Sequence, residues 1–171
     1  MLTELAEITG SSPELVEQVE IQCGLVAQLA ADAYYQVVIS KYGGARILCH
    51  VMKHFAENAS IQESCCAALQ LMPHAPYLQE TTEGVELLMQ AMEHHTASIH
   101  VQSAASQALW GILQQQNGNA AEHLLPGQEE RAALLELLER ASQMFLTPTG
   151  VQSVRSLKQL LLSSEDQDDE E

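Results

Sequence analysis

The sequence matches itself when displaced by 40: Gly44 falls on Gly84, Leu48 on Leu88, Met52 on Met92, His54 on His94, Gln62 on Gln102 and Leu69 on Leu109, with no gap between them. Ile47 with Leu87, Ile61 with Val101 and Met72 with Ile112 keep the same phase. A unit this short cannot enclose a core by itself, so a chain built from such units is bound to stack them. A further step of 40 backwards carries Ile61-Gln62 onto Ile21-Gln22, and a step of 50 forwards carries Val101-Gln102-Ser103 onto Val151-Gln152-Ser153. The reading is a first copy, two well-matched copies, and a fourth displaced by an insertion.

Each copy reads as a helix pair. Ile47, Leu48, Val51, Met52 and Phe55 recur at the spacing of one helical face, and Ile61, Cys65, Ala68, Leu69 and Met72 repeat it after a break. Ser60 followed by Glu63 predicts a capping box at that break, and Ser12-Pro13 and Thr147-Pro148 predict two further helix starts. Pro73 and Pro76 end the long helix of the second copy. The expected helices span 2–9, 13–33, 44–56, 59–72, 83–94, 97–115, 129–145 and 149–163, with short extra turns near 34–39 and 77–80. The polar run from Gln114 to Asn119, followed by Pro126-Gly127, is the longest expected loop and is too polar to offset the entropy of ordering it.

Composition agrees with stacked helices: 46% of the chain is hydrophobic but only 4% aromatic, so its volume comes from Leu, Ala and other aliphatic side chains. The formal charge is −16, and nucleic acid or an anionic membrane is an unfavourable partner for it. Six acids crowd the C-terminal end from Glu165 to Glu171, and the other 17 acids against 7 bases leave −10 on the rest. Residues 165–171 are therefore expected to form a disordered acidic tail, and 1–164 one domain with units of roughly 1–40, 41–80, 81–120 and 128–164. Cys23, Cys49, Cys65 and Cys66 show neither a disulfide framework nor zinc spacing and read as reduced core thiols, Cys66 partly exposed. Glu4 and Glu7 with no base before Thr9 are unlike a secretory signal, and every apolar run is too short to span a bilayer. A cytoplasmic location is expected, with the nucleus left open.

These residues resemble the armadillo and HEAT-like helical-repeat family, whose units of roughly 40 residues stack into a right-handed superhelix. The likeness rests on Gly44 and Gly84 at the start of the second helix, and on Ile61-Gln62 with Ala68-Leu69 and Val101-Gln102 with Ala108-Leu109 in the third. The fourth copy departs, with Arg155 in place of Ala105 and Gln159 in place of Leu109. The resemblance implies an all-α, right-handed solenoid of about 3.5 to 4 repeats. Peptide-binding members carry ladders of Trp and Asn on the inner helix; the matching positions here are Ala27, Ala67, Gln107 and Leu157 for Trp, and Ala31, Leu71, Gly111 and Leu161 for Asn. Neither ladder exists, which argues against gripping an extended basic peptide in that manner.

Candidate chemistry is sparse. His50 and His54, four apart, have a spacing that suits a metal, but His54 recurs as His94, which marks a repeat position at a helix end. No base lies between Lys53 and Arg131 to activate Cys65 or Cys66, and no hydrolase, kinase or metalloprotease motif occurs. The expectation is therefore a non-enzymatic protein-interaction module or scaffold without cofactor or metal. The same stretch between Lys53 and Arg131 holds nine acids, so a protein with a basic or apolar surface is the expected partner. Glu83, Glu86 and Glu93 are the candidate charged contacts, and Gln107 and Trp110 the candidate inner-helix contacts. The alternative is an accessory repeat segment of a larger signalling protein, such as a kinase-like protein with armadillo-like repeats after its catalytic domain. Its motive is the apolar Leu2, Leu5 and Ile8 near the N-terminus, where a capping repeat would be polar.

Overall fold

The computed structural model describes residues 12–114, 127–144 and 148–168, together with Leu2, Leu5 and Leu124, and the side chains of all these except 148–150 and 163–168. Every regular element among them is helical: α1 (Pro13–Ala30), α2 (Ala33–Lys41), α3 (Gly44–His54), α4 (Ala59–Gln70), α5 (Pro76–Glu80), α6 (Glu83–His94), α7 (Ile99–Gln114), α8 (Gln128–Ser142) and α9 (Pro148–Asp168). The expected helix over 2–9 and the loop over 115–126 lie outside the described residues, except that Leu2, Leu5 and Leu124 are helical. Leu5 and Leu124 are both buried.

Local signals set most boundaries. Ser12 accepts from Leu15 N at 3.3 Å and Pro13 opens α1, as expected. The long helix expected over 13–33 ends instead at Ala30, because Asp32 caps a new helix by accepting from Tyr34 N at 2.9 Å. The capping box at Ser60 and Glu63 does not form. Asn58 begins α4 by accepting from Ile61 N at 3.0 Å, and Ser98, its counterpart in the next copy, accepts from Val101 N at 3.3 Å. A cap that suits the first free N–H groups leaves Ser60 already inside the helix. Pro76 also starts α5 besides ending the preceding turn. At the far end, the segment expected to be disordered from residue 165 is helical as far as Asp168. Continuing a formed helix adds one hydrogen bond per residue fixed and needs no buried face.

The helices lie in two layers. One contains α1, α4, α7 and α9, each packed on the next; the other contains α3, α6 and α8 in the same order, with pairs α3–α4, α6–α7 and α8–α9 joining the layers. The seam is aliphatic and small: Val26, Leu48, Ile61, Ala68, Leu88, Ala105 and Leu109 are all fully buried. Gly44 and Gly84 are needed here for close approach. A Cβ on Gly44 would stand 2.3 Å from Ile39 Cγ2 and 2.8 Å from the Ile39 carbonyl oxygen; on Gly84 it would stand 2.6 Å from Leu78 Cδ2. The short helices α2 and α5 therefore close onto the starts of α3 and α6.

The repeated glutamines form a polar device in this apolar seam. Gln62, buried, donates through Nε2 to the carbonyl oxygens of Met52 and Phe55 at 2.8 and 2.9 Å. Gln102 does the same to Met92 and His95 at 2.6 and 3.2 Å. Each amide satisfies carbonyls that the end of α3 or α6 leaves without helical partners. Gln152 of the fourth copy is exposed and donates to Ser156 Oγ at 3.3 Å instead.

Candidate functional site

Glu83, Glu86 and Glu93 all lie on α6, but they do not share a role. Glu83, at the first turn, accepts from the Tyr77 hydroxyl and pairs with Lys53 Nζ at 3.3 Å, tying α5 and α3 to α6. The Tyr77 hydrogen bond, with the Lys53 and Arg46 charges behind it, holds this carboxyl below its ordinary range. Burial first, then the Glu83 carboxylate, pushes the Tyr77 phenol up to about 12. Glu83 is thus a structural acid.

Glu86 and Glu93 face solvent from the next turns of the same helix. With Glu130 of α8 they line a depression of about 250 Å³ whose apolar part is Val85, Met89 and Leu124. Thr82 Oγ1 donates to Glu86 Oε1 at 2.6 Å and fixes one carboxylate from the helix start. The arrangement sets acidic groups around an aliphatic patch, which suits a cationic side chain carried on an apolar stem. Sequence reasoning does not single out Glu130, Met89 or Leu124. Met89 lies three positions from Glu86 and four from Glu93, so helical spacing could have found it. Glu130 and Leu124 arrive from a distant part of the chain and carry no local signal.

Gln107 and Trp110 stand in the other layer, on α7, away from that depression. Gln107 is half-buried and donates to Ser103 Oγ at 3.0 Å within its own helix. Trp110 is half-buried and packed against the core. The structure therefore divides the five candidates into one structural acid, two exposed acids at an apolar depression, and a separate pair on α7.

The histidines serve the junctions between units. His95 Nε2 lies 2.7 Å from the Ala56 carbonyl oxygen, and His94 and His100 Nδ1 are each 3.8 Å from a carboxylate oxygen, of Glu57 and Glu63 respectively. His50 and His54 are exposed, and among the described residues no three His, Cys, Asp or Glu side chains converge as metal ligands. All four thiols are free and buried, Cys66 included, so the expected partial exposure of Cys66 is corrected: it faces the seam beside Cys65 rather than solvent. Cys65 donates to Cys23 Sγ at 3.8 Å across α1 and α4. That bond, and burial after it, hold Cys65 well above the ordinary thiol range; burial pushes Cys49 up to about 12. Such thiols are poor nucleophiles.

No described helix is long and apolar enough to cross a membrane. Compared with protein-family models, curated proteins and solved structures, the chain matches none.

Proposed function

We propose that this chain is a non-enzymatic protein-binding module, a right-handed armadillo-like solenoid of about 3.5 to 4 repeats that presents its α6–α8 face to a protein with a basic and apolar surface. One observation carries the reading: Glu86, Glu93 and Glu130 surround a depression of about 250 Å³ with Val85, Met89 and Leu124 in its lining. The repeated Gln62 and Gln102 bonds and the ordered packing of α1, α4, α7 and α9 support the stacking of equivalent units.

Affinity capture with the full chain and with an E86K/E93K variant tests this. Partners retained by the parent are expected to be lost from the variant and to weaken as salt rises from about 50 to about 300 mM. Retention indifferent to both changes would sink the reading. A second reading, the accessory repeat segment of a larger signalling protein, is favoured by Ile21 and Leu25, which are 59% and 45% exposed on one stripe of α1.

A further inference from the structure

Charge is sorted along the chain in a way the net value conceals. Residues 33–56, which form α2 and α3, contain Lys41, Arg46 and Lys53 and not one Asp or Glu, although the whole chain carries −16. The same segment holds the most exposed large apolar side chains described: Tyr34 at 71%, Tyr42 at 70% and Val37 at 65%. Two separate grooves have lining residues next to the turn between α2 and α3, Lys41 in one and Tyr42 and Gly43 in the other. The first, about 500 Å³, is lined by Val37, Leu71, Met72 and Pro76, with Lys41 and His74 among its polar residues. The second, about 400 Å³, is lined by Tyr42, Gly43, Arg46, Ile47 and His50. Among the described residues no carboxylate lines either one. Glu83, the acid that feels Arg46, is already held by Lys53 and Tyr77.

We infer that the α2–α3 face docks a short acidic peptide segment of a partner protein, with one or two large apolar side chains seated in the grooves and its carboxylates met by Lys41 and Arg46. Charge complementarity selects this occupant. Lys41 lines one groove and Arg46 the other, no carboxylate among the described residues lines either, and at physiological salt charges beyond a Debye length of about 8 Å are screened. Nucleic acid and anionic membrane fit worse, because duplex binders neutralise about 6–10 phosphates and membrane patches use about 4–8 bases, whereas two cations stand at these grooves. The apolar lining supplies affinity and the cations supply direction and specificity. This surface lies on different helices from the α6–α8 depression, so the two readings stand or fall separately.

The test is selection of a random display library of dodecapeptides on the immobilised full chain, with a K41E/R46E variant as counter-screen. Both substituted side chains are exposed, so the variant is expected to melt like the parent, and far-UV circular dichroism checks that. Enriched peptides should be net acidic with at least one large apolar residue, and a synthetic copy should bind the variant at least about tenfold more weakly by fluorescence anisotropy. Enrichment of neutral or basic peptides, or equal enrichment on the variant, overturns the proposal. So does displacement of the peptide by a single-stranded RNA dodecamer, which would assign the face to phosphate. Concentration-dependent dimerisation abolished by K41E/R46E would assign it to a second copy and overturn it too.

Discussion

Gln62 reaches back along the chain to donate to the Met52 carbonyl oxygen at 2.8 Å, and Gln102 makes the same bond to Met92 at 2.6 Å. The two amides occupy one position in successive units and perform one task, closing the end of the preceding helix from inside an apolar seam.

Replacing Gln62 by Leu is therefore expected to cost about 1–3 kcal/mol, because the Met52 carbonyl would lose the Gln62 amide inside the seam, while the Phe55 carbonyl would keep only its bond from Asn58 N at 3.0 Å. Gln152→Leu, at the exposed fourth position, should be close to neutral. Urea denaturation of the two variants beside the parent measures the contrast; equal costs would mean that the buried amides do not close the helix ends in this way.

The glycines should separate in the same experiment. Gly44→Ala drives a Cβ against both a methyl and a backbone carbonyl of Ile39, so a loss of about 1–3 kcal/mol is expected. Gly84→Ala meets only the terminal methyl of Leu78, which can turn aside, and should cost less.

The legible part of the fold lies where one local pattern recurs. The period of 40 pairs Gly44 with Gly84 and Gln62 with Gln102 from the sequence alone, and the apolar faces of α3, α4, α6 and α7 follow from helical spacing. What escapes such reading is decided by competition among neighbours. Asn58 and Ser60 are both good caps, and tertiary placement chose Asn58, whose Nδ2 also donates to Glu20 Oε1 at 2.9 Å. Asp32 interrupts a run of good helix formers, so a single side chain divides one expected helix into two. At the candidate site, the grouping of Glu86 with Glu130 joins separate helices, and periodicity within one helix carries no information about it.

Thiol chemistry should follow burial. A maleimide probe near pH 7 is expected to leave Cys23, Cys49, Cys65 and Cys66 unlabelled in the folded chain and to label all four in urea, read by mass spectrometry. Cys66→Ser should change stability by no more than about 1 kcal/mol. Ser106, in the same repeat position, donates to the Gln102 carbonyl oxygen at 2.7 Å, and the corresponding acceptor for residue 66 is Gln62.

Acid should loosen the tie at Glu83. Its carboxyl titrates below the ordinary range in the folded chain, so its stabilising effect is complete above the unfolded value of about 4.3 and is lost as pH falls through the lower folded value. Tyr77 works in the opposite sense: raised to about 12, it stabilises below its unfolded value of about 10 and loses that effect as pH rises toward 12. Tyr77→Phe is expected to flatten both limbs of the plot of urea midpoint against pH; an unchanged acid limb would show that the Tyr77 hydrogen bond is not what lowers Glu83.

The sorting of charge has a consequence for encounter as well as for contact. Along the row α3, α6, α8, residues 33–56 bear bases without acids, residues 57–130 bear acids without Lys or Arg, and the rest of α8 mixes Glu136 and Glu139 with Arg131 and Arg140. Such a row is an electric lever. An approaching charged protein exerts a torque on it before any atoms touch, so a cationic visitor is turned toward one end and an anionic visitor toward the other. Under the two proposed docking modes, ligands of opposite sign would be delivered to separate berths on one molecule, and neither would have to displace the other to arrive.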